Sequence, residues 1–217
     1  MPKLTPEQEY ARVKGLFEFD EQLALEKAGR KDAVILGIDE VGRGPVAGPV
    51  AAGGVVWKGF EFIEFLNDSK KLTEKRREQV CLEVKQKALF SCVEFVSAGE
   101  IDEIGIVPAL RKVFLAVVQK CEAQGITPDI VLIDGNPINI DQRETTIVKG
   151  DSKSAAIAAA SVLAKVTRDH LMMELDAEFP QYEWKKNKGY GTKAHTDAIK
   201  EFGLTPQHRH SFLKNYL

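Results

Sequence analysis

Two short apolar runs, each ending in acidic residues, constrain the fold of this chain most. Residues 33–38 lead into Asp39 and Glu40, and residues 130–133 lead into Asp134. Apolar runs of this length, rich in β-branched residues, predict buried strands rather than helices. The carboxyl ends of strands line the ligand crevice of open α/β sheets, so the acids are expected to face that crevice. The pattern therefore predicts an α/β fold with a polar site at one edge of its sheet.

The rest of the chain predicts three more strands, with several helices around them. Gly53 and Gly54 fall within the second strand and predict a bulge there. The expected further strands are residues 50–57, 90–96 and 144–148, and the expected helices are one or two within 1–32, then 72–87, 108–124, 154–179 and 192–202. Thr73 is the expected N-cap of the helix at 72–87. Two hairpin-like strands come first and strand-helix-strand units follow, which predicts a sheet of mixed strand direction.

No linker or internal repeat divides the chain, so one catalytic-sized domain is expected. We expect three segments: an N-terminal helical segment at residues 1–32, a catalytic domain at 33–180, and a helical C-terminal extension at 181–217. The extension is expected to belong to the same compact unit as the domain.

A third acidic position, Asp151, follows Gly150 directly before the Ala-rich helix. Carboxylates brought together from separate segments would repel one another, and a hard divalent cation with oxygen ligands relieves that repulsion. Mg²⁺ is the expected ion, because it binds a few carboxylates together with water and phosphate oxygens. The alternative stays open here, since an Asp beside Gly is often a turn residue and Asp151 could cap the helix.

A glycine-rich loop, residues 42–48, follows the first pair of acids. It does not match a dinucleotide-binding fingerprint, because its spacing is G-x-G-x-x-x-G and Pro45 and Pro49 oppose the required helix. Asp39 and Glu40 would also repel a pyrophosphate. Glycines on both sides of Arg43 instead suit a loop whose backbone amides a ligand approaches closely.

The net charge of −2 excludes a strongly basic protein that coats DNA, but it conceals a segregation of charge. Residues 183–217 hold seven Lys or Arg against three acids, which leaves −6 on residues 1–182. Bound cations would offset part of that negative charge, and the basic C-terminal part suits contact with phosphates. Three widely spaced cysteines, no signal-peptide core and no membrane-length apolar run predict a cytoplasmic globular protein that does not enter a membrane.

Seven blocks of sequence, in order, carry a family resemblance: residues 37–49, 67–72, 133–135, 149–151, 158–169, 188–192 and 208–212. Together they resemble type 2 ribonuclease H, ribonuclease HII, from about residue 33 to residue 212. The resemblance implies an RNase H-like mixed five-stranded sheet flanked by helices, with a helical C-terminal extension. It also implies an endoribonuclease that uses two Mg²⁺ or Mn²⁺ ions. We expect the protein to be a monomer.

The implied substrates are RNA–DNA hybrids and DNA duplexes that contain ribonucleotides. Cleavage on the 5′ side of a single embedded ribonucleotide would leave a 3′-hydroxyl and a 5′-phosphate. The catalytic and metal-binding residues that the resemblance implies are Asp39, Glu40, Asp134 and Asp151. The implied substrate-binding residues are Gly42, Arg43 and Gly44 at the 2′-hydroxyl, Tyr190 on the sugar of the following deoxynucleotide, and Lys70 and Lys71 at phosphates.

Three alternatives remain at this stage. Ribonuclease HIII has related chemistry, but that family carries an extra N-terminal domain and usually lacks the central Arg of Gly-Arg-Gly, whereas only 38 residues precede Asp39 here. A non-catalytic hybrid-binding protein would have no reason to place acids against phosphates. A Mg²⁺-dependent phosphotransferase for a small molecule would need a base pocket that no motif supplies.

Overall fold

A five-stranded mixed sheet forms the centre of the protein, which a computed structural model describes over residues 4–214. The strands are β1 (Ile35–Val41), β2 (Val50–Val56), β3 (Phe90–Val96), β4 (Ile130–Asp134) and β5 (Glu144–Ile147), and their order in the sheet is β3-β2-β1-β4-β5. The first three strands form an antiparallel meander, and β4 and β5 add to β1 in parallel. The predicted fold class and mixed sheet are confirmed.

Seven α-helices flank this sheet within residues 4–214. They are α1 (Pro6–Ala28), α2 (Glu74–Lys87), α3 (Ala98–Ile104), α4 (Ile106–Ala123), α5 (Ala155–Glu178), α6 (Trp184–Asn187) and α7 (Lys193–Phe202). The Thr73 hydroxyl accepts a hydrogen bond from the Arg76 amide, which confirms the predicted N-cap. The short helix α3 was not expected, and α4 begins two residues earlier than its Pro108 suggested.

The helices cover both faces of the sheet, so β1, β2 and β4 are buried on both sides. On one face, α1, α2 and α5 pack in an apolar layer against the sheet, and Val13, Leu16 and Phe17 of α1 belong to that layer. On the other face, α3 and α4 pack against the sheet. The N-terminal segment is therefore one helix with a buried apolar side, not an appendage ahead of the core. No helix of the described residues has the length and apolar character needed to span a membrane.

The predicted bulge at Gly53 and Gly54 is wrong. Both glycines pair in continuous register, with Asp39 and Ile38 of β1 on one side and with β3 on the other. Their role is to let helices approach the sheet closely. A Cβ on Gly53 would lie 2.3 Å from the Ala160 carbonyl oxygen of α5, and one on Gly54 would lie 2.3 Å from Val117 Cγ1 of α4.

Gly53→Ala should destabilise the protein by about 3 kcal/mol or more, because its methyl group must push the α5 backbone away from the sheet. Gly15→Ala is the matched control, since that position lies inside α1 with open space around it. The control should gain about 0.5 to 1 kcal/mol from helix propensity. Urea unfolding of the two variants measures both effects, and equal stabilities would contradict the close-approach explanation.

The C-terminal segment packs against the glycine-rich loop and α5. Val46, Ala47 and Met172 share an apolar cluster with residues of the C-terminal segment, among them Tyr182 and Trp184. The amide of Gly48 donates to the Gln207 carbonyl, and Ala47 and His208 form an isolated β-bridge. This part of the chain therefore borders the loop after β1. Residues 1–3 and 215–217, at the ends of the predicted first and last segments, lie outside the described residues.

Candidate active site

The register between β1 and β4 brings two of the predicted acids together. Ile38 pairs with Ile133 in parallel, so Asp39 and Asp134 occupy equivalent positions one residue further along neighbouring strands. Asp39 and Glu40 lie at the end of β1 as predicted, and antiparallel pairing with β2 carries the strand one residue further, to Val41. Asp39 and Glu40 therefore lie beyond the last residue of β1 that pairs with β4, at positions that still pair with β2.

Asp151 reaches the same edge of the sheet through a short connection after β5. A 3-10 turn, Gly150–Ser152, follows the strand, and the Gly150 amide donates a 2.7 Å hydrogen bond to Asp134 Oδ1. Asp151 is buried and does not cap the long helix, because Ser154 occupies the N-cap of α5 and accepts from the Ile157 amide. The helix-cap alternative for Asp151 is therefore wrong.

Asp39 is buried, with 7% of its surface exposed, as is Asp151 with 6%, whereas Glu40 and Asp134 are only partly buried. Burial, together with the negative charges of Glu40, Asp134 and Asp151, raises the pKa of the Asp39 carboxyl to about 8. A hydrogen bond from Ser161 on α5 acts in the opposite direction. The Asp39 side chain is thus held in a place where an uncompensated negative charge is costly.

Two serines behind Asp39 were not assigned to the site from the sequence. The Ser161 hydroxyl that contacts Asp39 also lies 3.0 Å from the Ser69 hydroxyl, and both serines are buried. Ser161 is the one polar residue that interrupts the apolar stretch 155–164, and that interruption was the available signal. Ser69 lies in the 3-10 turn Ser69–Lys71, which also contains Lys70. The hydrogen bond between Ser69 and Ser161 therefore connects this turn to the serine that contacts Asp39.

Glu40 and Asp151 lie in the same electrostatic environment as Asp39. Burial raises the pKa of Glu40; the positive charge of Arg43 lowers it and Asp134 raises it. Burial also raises the pKa of Asp151, and the charges of Asp68 and Asp134 add to that effect. Asp68 was not among the predicted site residues, although it stands in the sequence block 67–72.

Lys70 points its ammonium group toward this acidic cluster. Its Nζ lies 3.9 Å from Asp151 Oδ2, while 80% of its side chain is exposed. Burial alone would lower its pKa, but the surrounding carboxylates, Asp68 first and then Asp151, Asp39 and Asp134, raise it. Lys71 is exposed, and its charge also lowers the pKa of Asp151. An exposed ion pair of this length contributes little to stability, so Lys70 remains free to contact a ligand.

The chemistry of these donors fits hard divalent cations. The cluster offers only carboxylate oxygens, and burial and mutual repulsion raise the pKa of Asp39, Glu40 and Asp151. Among residues 4–214, no three Asp, Glu, His or Cys side chains are arranged as a ready-made metal-binding group. Carboxylates that repel one another are expected to stand apart until a cation draws them together, and the raised pKa values reflect burial first and then that repulsion.

The glycine-rich loop follows Glu40 directly, and Tyr190 lies beside that loop. Arg43 and Gly44 are exposed, and Gly42 has a φ of 86°, a left-handed conformation that glycine adopts without strain. A Cβ on Gly44 would lie 3.9 Å from Tyr190 Cε1, and half of the Tyr190 surface is exposed. The structure therefore places the loop 42–44 beside the Tyr190 ring.

Comparison with known proteins gives one consistent result. The family model for ribonuclease HII matches residues 36–215. Ribonuclease HII of Clostridium perfringens (strain 13 / Type A) is 44% identical over 213 residues, which are 96% of this chain and 75% of that protein. Ribonuclease HII of Rickettsia bellii (strain OSU 85-389) is 48% identical over 181 residues, 83% of this chain and 90% of that protein.

Solved structures show the same fold. Ribonuclease HII of Archaeoglobus fulgidus, solved in complex with PCNA, superposes with a TM-score of 0.68 at 25% identity, covering 82% of this chain and 94% of that one. Bst-RNase HIII, solved in complex with Mn²⁺, superposes with a TM-score of 0.61 at 14% identity, covering 83% of this chain and 67% of that one. The second likeness concerns the fold alone.

Proposed function

Because the chain belongs to the ribonuclease HII family and is thereby a ribonuclease H-type hydrolase of RNA–DNA hybrids, we propose that it also cuts DNA duplexes at single embedded ribonucleotides. Cleavage falls on the 5′ side of the ribonucleotide and leaves a 3′-hydroxyl and a 5′-phosphate. One observation carries the proposal. Acidic residues from separate segments of the chain lie close together, and beside them is a loop with exposed amides next to the exposed Tyr190.

We propose that Asp39, Glu40, Asp134 and Asp151 hold two divalent ions, Mg²⁺ or Mn²⁺. Such ions supply neutralisation of the phosphodiester charge and a more acidic attacking water. Asp39 and Asp134, on neighbouring strands, would hold the ions together with Glu40 and Asp151. The Ser161 hydroxyl keeps the Asp39 carboxylate oriented, and the Gly150 amide does the same for Asp134.

Substrate recognition is proposed to rest on the loop 42–44, Tyr190 and the lysines. The amides of the loop read the 2′-hydroxyl, which is the group that distinguishes a ribonucleotide from a deoxyribonucleotide. The Tyr190 ring stacks on the sugar of the next deoxynucleotide and so responds to the RNA-to-DNA junction. Lys70 and Lys71 contact phosphates, which sets the register of the duplex without reading its sequence.

The test is a cleavage assay on a uniform RNA–DNA hybrid and on a DNA duplex with one ribonucleotide, each with Mg²⁺, with Mn²⁺ and with EDTA. Cutting of both substrates with either metal, and none with EDTA, is expected. Cutting of the hybrid alone would refute ribonucleotide incision, and metal-independent cutting would refute the two-ion mechanism.

Tyr190→Ala should lower kcat/KM on the single-ribonucleotide duplex by about 10- to 100-fold, the usual cost of losing one stacking contact. The loss on a uniform hybrid should be several-fold smaller, because that substrate has no junction at the scissile site. Tyr190→Phe keeps the ring and serves as the matched control, with near-parental rates on both substrates. Equal losses on both substrates in Tyr190→Ala would contradict junction sensing.

The cytoplasmic location, the monomeric state and the three-segment division of the chain stay predictions from the sequence.

A further inference from the structure

Two buried arginines lie directly beneath the glycine-rich loop. Arg168 comes from α5 and Arg209 from the C-terminal segment, and at most 1% of either residue is exposed. Burial lowers their pKa values, to about 10 for Arg168 and about 9 for Arg209, so keeping both charged inside the protein has a cost. A role beyond filling space is therefore expected for this pair.

Within residues 4–214, every hydrogen bond of these guanidinium groups goes to a backbone carbonyl. Arg209 donates to the carbonyls of Gly42 at 2.7 Å, Arg43 at 3.1 Å and Gly48 at 2.9 Å. One planar guanidinium group thus donates to three carbonyls of a single loop. A lysine ammonium, with its point-like charge, cannot reproduce this arrangement.

The direction of these bonds fixes the direction of two amides. In a trans peptide the carbonyl of one residue and the amide N–H of the next point in opposite directions, and the described chain has no cis peptide. Because the carbonyls of Gly42 and Arg43 point inward to Arg209, the N–H groups of Arg43 and Gly44 point outward. Neither N–H donates a hydrogen bond to any residue within 4–214, and both residues are exposed. Two consecutive outward amides form a site for an oxygen acceptor.

Arg168 extends the same support to the segment that carries Tyr190. It donates to the carbonyl of Ala47 in the loop at 3.2 Å, to that of Pro49 directly after the loop at 2.9 Å, and to the Lys188 carbonyl at 3.0 Å. The amides of Val46 and Ala47 in turn both donate to the Gly189 carbonyl. The loop and the Tyr190 segment are thereby hydrogen-bonded into one unit.

We propose that Arg209 and Arg168 are positioning residues for ribonucleotide recognition. Arg209 aims the Arg43 and Gly44 amides at the 2′-hydroxyl, and Arg168 holds the Tyr190 segment at a constant distance from them. This inference rests on the proposed function and deepens it. It places the determinant of sugar discrimination partly in residues that never touch the substrate.

Arg209→Lys tests the inference, because it keeps the charge and removes the fork. Fluorescence anisotropy in EDTA measures the dissociation constants for a duplex with one ribonucleotide and for the all-DNA duplex. We expect the preference for the ribonucleotide to fall about tenfold, as for the loss of one or two hydrogen bonds, with all-DNA affinity unchanged. Arg30→Lys is the control. Arg30 also donates to a backbone carbonyl, that of Asp32, but it is exposed, and its other partner is Asp129, which precedes β4.

Amide hydrogen exchange of the parent protein gives a second test that needs no variant. The Arg43 and Gly44 amides should exchange rapidly in the free protein and become protected by the ribonucleotide duplex but not by the all-DNA duplex. Protection in the free protein, or equal protection by both duplexes, would overturn the inference.

The outcomes separate this inference from the proposed function. A folded Arg209→Lys that keeps the parental preference, or that loses affinity for both duplexes equally, overturns the positioning role alone. A parent protein that neither prefers nor cleaves the ribonucleotide duplex overturns the proposed function itself.

Discussion

Asp134→Asn is expected to lower kcat for hybrid cleavage at least about a thousandfold, which corresponds to roughly 4 kcal/mol of lost transition-state stabilisation. The substitution removes the negative charge that Asp134 contributes between β1 and β5. It leaves an amide oxygen that can still accept the 2.7 Å hydrogen bond from the Gly150 amide. The fold should therefore persist, and thermal unfolding should stay close to that of the parent protein.

Asp129→Asn is the matched control for this experiment. Asp129 directly precedes β4, which Asp134 ends, and it likewise accepts a 2.7 Å hydrogen bond from a backbone amide, that of Val34. The same chemical change at the far end of the strand should leave cleavage at the parental rate. Near-parental activity in Asp134→Asn would remove Asp134 from the proposed metal ligands.

Asp39→Asn is expected to abolish cleavage and yet stabilise the metal-free protein at pH 8 by about 3 to 5 kcal/mol. Burial first, and then Glu40 and the other acids, raise the pKa of Asp39 to about 8 in the folded protein, against an ordinary value of 3.8. Because the pKa of Asp39 is raised in the folded protein, its protonated carboxyl contributes stability to the folded state. That contribution is fully present below about pH 4 and is lost as the pH rises through about 8. The asparagine side chain cannot ionise, so the variant avoids that loss.

The measurement is urea unfolding in EDTA between pH 4 and pH 9. Asp20→Asn is the control, because burial raises the pKa of Asp20 to about 7 and its ionisation falls in the same pH range. Asp20 lies on α1 and accepts from the Ala156 amide, apart from the four proposed ligands, so its variant should reduce the pH dependence and leave cleavage unchanged. A pH dependence in Asp39→Asn equal to that of the parent would contradict the buried, repelled state of Asp39.

The sequence predicted the parts of the site that local pattern encodes. Apolar runs located β1 and β4, and the acids that follow them do lie side by side, because Ile38 pairs with Ile133. The bulge prediction was wrong because a glycine pair in a strand can mean either a bulge or close helix packing, and only the contacts with Ala160 and Val117 decide. Helix α3 was missed because it has seven residues and buries only two of them.

Long-range contacts account for what the sequence could not predict. Ser69 and Ser161 stand 92 residues apart, and Arg209 lies 167 residues from Gly42. No local period or spacing relates such pairs, and a buried Arg bonded only to carbonyls has no sequence signature. The resemblance drew attention to the blocks that contain these residues, but their roles became visible only from hydrogen bonds in the folded chain.

The most direct test of the central claim is to map the ends produced from a duplex labelled on both sides of a single ribonucleotide. The account predicts one Mg²⁺- or Mn²⁺-dependent cut on the 5′ side of the ribonucleotide, with a 3′-hydroxyl on the upstream fragment and a 5′-phosphate on the downstream one. A cut on the 3′ side of the ribonucleotide, or a 2′,3′-cyclic phosphate end, would contradict it.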